Sequence, residues 1–352
     1  MEKKTGATVC VTGGSGYIGS SLVKKLLERG YTVHATLRNL EDKSKVGLLK
    51  SLPNAATKLF LFQADITNPN DFDAVIKGCD YVLHVAHPMP SDPKITELKD
   101  FVEATVAGLR NIADSCLRSQ TVKRLIYTAS VTASSALMED GSGYKSCIDE
   151  SCWTPLDLSL KYGNQLTVEY TKAKTLVEKE ALRYNENGDN KLEVVSLVTG
   201  LVGGETILSY LPQCMATMLS PATGNLQSFY GGLGLLEELL ASVPVVHIED
   251  VCEAHLFCME KPSIKGRFIC VAANPTIREL VTHLKENHPE LKIDESCAGE
   301  AKEGIACDSS KLTKIGFEYK FGLKNILDDS LQCAKRLGVL KTKSLESSID
   351  VA

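Results

Sequence analysis

Through the first 130 residues, short unbroken apolar runs alternate with stretches whose apolar residues recur every three or four positions. Unbroken runs bounded by turn residues predict strands covered on both faces, and the three-and-four spacing predicts helices with one apolar face. Val9-Cys10-Val11 is the first run and stops at Thr12. A helical stretch over 17–29 follows, with Ile18, Leu22, Val23, Leu26 and Leu27 as its inner face and Gly30 closing it. Residues 31–38, 58–65 and 81–87 read as the second to fourth strands. A short helix over 71–77 ends at Gly78, a long one runs over about 95–118, and a fifth strand covers 123–130. This alternation specifies βαβ units and a parallel sheet with helices on both faces.

Beyond residue 190 the pattern is looser. Residues 192–199 predict a sixth strand and 243–247 a seventh, and 200–242, rich in Gly, Pro, Leu and Met, has no strict period. A helix over 251–259, a strand over 267–272, a helix opened by Thr276-x-x-Glu279 and a last helix over about 325–340 follow. The expected architecture is α/β, a Rossmann-type doubly wound parallel sheet of about seven strands with a smaller, interleaved C-terminal substrate lobe. Residues 5–199, completed by roughly 243–262, form the nucleotide domain; 200–242 and 263–340 form the lobe; 341–352 is expected to be a disordered tail.

Composition narrows the class without naming a function. The 352 residues are 43% hydrophobic and 24% charged, ordinary for a globular chain, and the formal charge of -5 gives no reason to expect nucleic acid as partner. No apolar run approaches the ~18 residues a membrane span needs, and the first strand begins too early for a secretory signal. The twelve cysteines include no C-x-x-C pair, and several fall in predicted core elements. They read as reduced, buried thiols of a cytoplasmic protein, with Cys147 and Cys152 the pair to check for oxidation. His84 and His87 lack a carboxylate or cysteine to complete a ligand set, so no metal site is expected. A monomer is expected over a dimer.

Chemistry enters at the first turn. Gly13, Gly16 and Gly19, with Gly14 extra, give G-x-x-G-x-x-G between a strand and a helix. A pyrophosphate approaching the backbone tolerates no Cβ, and the helix N-terminus offers amide donors and a positive dipole. The end of the second strand faces the adenosine ribose. An acid there selects NAD; this chain has Arg38, with Lys43 and Lys45 close behind, which favours the 2′-phosphate of NADP(H) over solvated loop charges. Ligands of such sheets sit outside the carboxyl ends of the strands, which puts the glycine loop, Arg38, Asp65, the loop after His87 and Ser130 on one rim.

Tyr170 and Lys174, four apart in a helical stretch, are neighbours on one face. An ammonium beside a phenol favours the phenolate, lowering a pKa of ~10 so that the phenol exchanges a proton at working pH. Ser130, ending the fifth strand, is placed to hold a carbonyl oxygen as negative charge develops. Tyr-x-x-x-Lys alone is common on solvated helices; combined with the nucleotide turn and the serine it reads as a site.

The chain resembles the extended short-chain dehydrogenase/reductases, and within them the plant branch of dihydroflavonol 4-reductase and anthocyanidin reductase. The matching stretches are VCVTGGSGYIGSSLVKKLLERGYTVHATLR, FQADITNPNDFDAVIKGCDYVLHVAHPM, KRLIYTAS, IDESCW, YTKAKTLVEKEA, VHIEDVCEAHLF, GRFIC and SSKLTKIGFEYKFG. The resemblance implies NADPH/NADP+ as cofactor and Ser130, Tyr170 and Lys174 as a catalytic triad, with hydride passing to a carbonyl carbon of a flavonoid-like plant phenolic. It implies cofactor contacts at Gly13, Gly16, Tyr17, Ile18, Gly19, Arg38, Lys45, Asp65, Ile66, Val85, Ala86, His87, Tyr170, Lys174, Leu197, Thr199 and Gly200. His87, Met89, Ser135, Leu201, Phe229 and Tyr230 are the expected substrate contacts.

Four departures from the branch pattern bear on the substrate. Thr-Ser-Ser is here Thr128-Ala129-Ser130, the serine before the lysine is Ala173, Pro-Thr after the sixth strand is Thr199-Gly200, and Ser135 stands where dihydroflavonol reductase has a substrate-binding Asn. The Thr199-Gly200 turn is expected to be looser than its Pro-Thr counterpart. The N-W-Y-C-Y signature of cinnamoyl-CoA reductases is absent. Reduction of a conjugated ring system, reduction of a steroid or terpenoid ketone, and an NADPH-binding regulator without turnover are the competing readings. Nucleotide-sugar epimerisation needs tightly held NAD, against which Arg38 argues.

Overall fold

The computed structural model describes residues 6–88, 98–140, 142–157, 159–186, 192–222, 229–298 and 303–340. In chain order its first elements are β1 (Thr8–Thr12), α1 (Tyr17–Glu28), β2 (Thr32–Leu37), α2 (Lys43–Lys50), α3 (Ala55–Lys58), β3 (Leu59–Gln63), α4 (Phe72–Ile76), β4 (Tyr81–His84), α5 (Leu98–Ser119) and β5 (Arg124–Ser130). Then come β6 (Cys147–Ile148), α6 (Gln165–Arg183), β7 (Glu193–Thr199), β8 (Leu201–Gly203), α7 (Gln213–Met218), α8 (Tyr230–Leu240), β9 (Val245–His247) and α9 (Ile248–Glu260). The last are β10 (Gly266–Cys270), α10 (Ile277–Asn287), β11 (Ala306–Cys307), α11 (Ser310–Lys314) and α12 (Leu323–Arg336).

Seven strands form one sheet in the order β10-β7-β5-β4-β1-β2-β3. β1 pairs in parallel with both β2 and β4, β2 with β3, and β4 with β5. The chain thus winds outward from β1 to β3, then crosses back to β4 and winds the other way. This is the doubly wound Rossmann order, and its topological switch point lies between β1 and β4. Val9, Cys10 and Val11 are fully buried, as their unbroken apolar run requires. β3, at the open edge, leaves Phe60 49% exposed. α1 buries Leu22, Val23, Leu26 and Leu27, and Gly30 takes φ 84°, the left-handed conformation that ends a helix.

The chain divides into two compact units. The first takes Met1–Ala133, Gln165–Val198 and Cys252–Phe268; the second takes Ser134–Asn164, Thr199–Val251 and Ile269–Ala352. In the second unit β8 pairs in parallel with β9, and β6 with β11, as two small sheets. Met215, Met218, Leu233, Leu239 and Leu240 are fully buried, so these apolar residues of 200–242 are core. α10 opens with the predicted capping box: Glu279 donates its backbone N–H to the Thr276 hydroxyl at 3.2 Å, and its carboxylate accepts the Thr276 N–H at 2.7 Å.

One strand assignment needs correcting. The run at 243–247, expected as the seventh strand of the main sheet, pairs with β8 in the small sheet, and the seventh place belongs to β10. Both are short apolar runs, and periodicity cannot say which partner a short apolar strand finds. α2 was also not foreseen, since its three apolar residues and one glycine make a weak pattern. The expected helix start at 95–97, the loop after His87 from residue 89 on, and the tail 341–352 lie outside the described residues.

Candidate functional site

The glycine turn is built around Thr12, the last residue of β1. Its hydroxyl accepts the backbone N–H groups of Val85 and Ala86, each at 3.1 Å, which draws the chain leaving β4 against the chain leaving β1. Gly13 then turns with φ 69° and donates its N–H to the Thr36 hydroxyl at 3.1 Å. A Cβ on Gly13 would stand 3.0 Å from the Ala86 backbone, and one on Gly19 would stand 2.2 Å from the Gly13 carbonyl oxygen. Those two glycines are fixed by packing and backbone conformation.

Gly16 is different. It is the N-cap of α1 with φ -81°, and a Cβ there would meet nothing closer than 3.4 Å. Neither strain nor packing calls for glycine, and an N-cap ordinarily favours Ser, Thr, Asp or Asn. No side chain caps the helix and no acid lies in its first turn. The bare N-terminus, with its dipole, therefore fits the diphosphate of a dinucleotide. Ile18 is half-buried at this end.

At the ribose end, Arg38 directly follows β2 and is exposed. Lys45 lies in α2 with Nζ 3.2 Å from the Asp42 carboxylate that caps the helix. The Ser44 hydroxyl and then the Lys45 amide hold the Asp42 carboxyl down to about 2. The end of β2, which Arg38 directly follows, is the position that meets the adenosine ribose in folds of this kind. Asp65, past β3, accepts the Thr67 N–H at 3.1 Å and its hydroxyl at 2.8 Å. Ile66 is buried, with its carbonyl so near Gly108 of α5 that a Cβ there would stand 2.9 Å away.

The catalytic candidates share the first unit. Ser130 ends β5, and its Oγ accepts the Thr132 N–H at 3.3 Å and the Thr132 hydroxyl at 3.0 Å. Both lone pairs are used, so its own O–H is left as a donor. Tyr170 and Lys174 lie on α6, with the Lys174 ammonium 6.0 Å from the centre of the Tyr170 ring. Lys174 is buried and donates to the Tyr127 hydroxyl at 3.4 Å and the Thr128 carbonyl at 3.3 Å. Burial lowers its pKa to about 8, and the Glu178 carboxylate acts the other way. The His87 ring stands edge-on to Tyr170, centroids 5.3 Å apart, and equally edge-on to Phe101 at 5.7 Å. Burial, then the Lys174 charge, keeps His87 neutral at working pH.

The remaining candidates divide by burial. Leu197 in β7 is fully buried. In the second unit, Thr199 is 6% exposed, Leu201 sits in β8, and Phe229 just precedes α8. Tyr230 donates its hydroxyl to the Cys297 carbonyl at 2.6 Å. Ser135 is fully buried with its hydroxyl donated to the Leu239 carbonyl, and the same oxygen accepts the Leu137 N–H at 3.0 Å. Its hydrogen is thus spent within the fold. Met89 lies outside the described residues. The expectation of a loose turn at Thr199-Gly200 is overturned. Leu201 donates its N–H to the Pro244 carbonyl at 2.8 Å, and a Cβ on Gly200 would stand 2.5 Å from that oxygen, so glycine there permits close packing. All twelve cysteines, Cys147 and Cys152 included, are free thiols. Among the described residues no cluster could hold a metal ion, and no helix is long and apolar enough to cross a membrane.

Three contributors escaped the sequence reading: Thr12, Thr36 and Glu178. Thr12 and Thr36 are polar residues set in or at the end of buried strands, and Glu178 falls in the buried phase of α6; those positions were the available signal.

The chain belongs to the NAD dependent epimerase/dehydratase family, whose model matches residues 9–271. It is 36% identical to an anthocyanidin reductase ((2S)-flavan-3-ol-forming) of Vitis vinifera, over 95% of this chain and 97% of that one. It is also 36% identical to a dihydroflavonol 4-reductase of Gerbera hybrida, over 99% of this chain and 92% of that one. The solved structure of vestitone reductase from alfalfa (Medicago sativa) is similar with a TM-score of 0.77 at 33% identity, covering 95% of this chain and 99% of that one.

Proposed function

We propose that this chain is an NADPH-dependent reductase that acts on a ketone carbonyl of a flavonoid-like phenolic, with Tyr170 as proton donor. The observation that carries the reading is the buried Lys174 ammonium set between Tyr170 and the end of β5, on the same sheet rim as a bare helix N-terminus. The names of the relatives, reductases of flavonoids, supply the substrate class.

When bound, the reduced nicotinamide supplies the hydride. Gly13, Gly16 and Gly19 leave the room for its diphosphate, and Arg38 meets the 2′-phosphate. The Ser130 hydroxyl donates to the substrate oxygen and orients the carbonyl. As negative charge grows on that oxygen, Tyr170 hands it the phenolic proton. Lys174 stabilises the phenolate left behind. His87 walls one side of the Tyr170 ring as a neutral group. The second unit takes the substrate-binding role. The free thiols suit a cytoplasmic location.

The test is NADPH oxidation across a panel of dihydroflavonols, flavanones, anthocyanidins and steroid ketones. Turnover confined to the flavonoids supports the reading, and turnover confined to steroid ketones contradicts its substrate class. The relatives' names divide between anthocyanidin and dihydroflavonol, so product mass and chiral chromatography decide between a reduced conjugated ring and a reduced ketone.

A further inference from the structure

Glu178 is fully buried one helical turn beyond Lys174, on the same face of α6. Its carboxylate accepts Nε of Arg267 at 2.8 Å, a terminal nitrogen of the same guanidinium at 3.0 Å, and the Ser196 hydroxyl at 2.6 Å. Arg267, 4% exposed, donates from that terminal nitrogen to the Ala133 carbonyl at 3.1 Å as well. Ala133 ends the single 3-10 turn, Val131–Ala133, that follows Ser130 directly. One rigid guanidinium therefore joins the turn beyond Ser130 to the helix that carries Tyr170 and Lys174.

A buried ion pair is weak evidence for stability, since apolar residues of similar volume often replace one at no cost. What it does provide is geometry. We propose that Arg267 and Glu178 form a positioning strut that sets the spacing between Ser130 and the Tyr170–Lys174 pair, with Glu178 as the fixed countercharge of the Lys174 ammonium. The inference rests on the reductase reading above. The other groups facing Lys174 are His84 and His87 from β4 and the chain after it, Tyr127 from β5, and Tyr170 on its own helix. Burial keeps both histidines neutral and pushes the Tyr127 phenol well above its usual range, so Glu178 supplies the negative charge.

The experiment replaces both charges together, E178L/R267M, so that neither member of the ion pair is left buried without the other. The double variant is expected to fold and bind NADPH, followed by nucleotide fluorescence, much as the parent does. Its kcat should fall by about 10- to 100-fold, the cost of a misplacement on the order of 1 Å. The alkaline limb of its pH–rate profile should move to lower pH, because Lys174 has lost its countercharge. A folded double variant with parental kcat and pH profile overturns the strut, whatever its Tm. Should that variant not fold, R267K carries the test, since a flexible ammonium loses the two-nitrogen grip of the planar guanidinium on Glu178. Parental kcat in folded R267K likewise overturns the strut. Y170F run alongside separates the two claims: an inactive Y170F beside a parental double variant rejects the strut alone, and an active Y170F rejects Tyr170 as the proton donor that the strut would position.

Discussion

The hydroxyl of Thr12 lies 2.9 Å from Nδ1 of His84. Because that hydroxyl already accepts the amides of Val85 and Ala86, its hydrogen is the one it can give, and Nδ1 must be the acceptor. His84 is therefore the neutral tautomer protonated on Nε2, in keeping with a pKa that burial, then the Lys174 charge, lowers to about 3. Thr12 thus pins the two strands of the switch point together where the dinucleotide is to lie. Thr12→Val removes the acceptor and leaves two amides and a ring nitrogen unmatched. Unfolding in urea should show a loss of about 1–3 kcal/mol, together with weaker NADPH binding. Thr12→Ser, which keeps the hydroxyl, should recover most of both; a Val variant with parental stability would show that the pin is dispensable.

Much of this was legible in the sequence, and the reasons are particular. Gly13, Gly16 and Gly19 sit at fixed offsets from a strand end, and Tyr170 and Lys174 at one helical turn, so local spacing alone brings them together. Thr12 acts through Val85, more than seventy residues away, and Arg267 through Glu178, almost ninety away; no local period records such pairings. The same limit explains the run at 243–247, which has a strand's composition but finds its partner in β8 rather than in the main sheet. At Gly200, a residue type that ordinarily signals freedom was required by the nearness of Pro244, which only tertiary structure reveals.

Arg38 and Lys45 do not carry equal weight. Lys45 lies within α2, whereas Arg38 directly follows β2, the strand whose end meets the adenosine ribose in folds of this kind. Arg38→Ala should therefore raise the KM for NADPH by about tenfold or more, a charge-assisted contact being worth roughly 1.5–3 kcal/mol, and should leave the KM for NADH nearly unchanged. Lys45→Ala should do much less. Steady-state kinetics with both nucleotides checks this, and equal losses for NADPH and NADH would contradict the assignment of Arg38 to the 2′-phosphate.

The pH dependence follows from Lys174. Its pKa is lowered from 10.5 to about 8, so the folded enzyme loses this proton well before the unfolded chain does. The ammonium is present below about pH 8 and is lost as pH rises through it. Reductase kcat/KM should accordingly fall on the alkaline side of about 8. His84 and His87 are both shifted down and stay neutral, so neither should add a limb near the ordinary histidine pKa of about 6.5. Lys174→Arg keeps the charge at every accessible pH and should abolish the alkaline limb even where the rate is reduced. A limb unmoved by that substitution would assign the titration to another group.

The most direct measurement is Tyr170→Phe, assayed for ketone reduction with NADPH and, separately, for NADPH binding by fluorescence. Loss of one hydroxyl removes the proton donor and leaves the glycine turn, Arg38 and the Lys174 ammonium where they are. The account predicts a fall in kcat of about 10²–10⁴-fold, the usual worth of a positioned acid, with coenzyme affinity close to the parent's. Parental turnover in the Phe variant would contradict it.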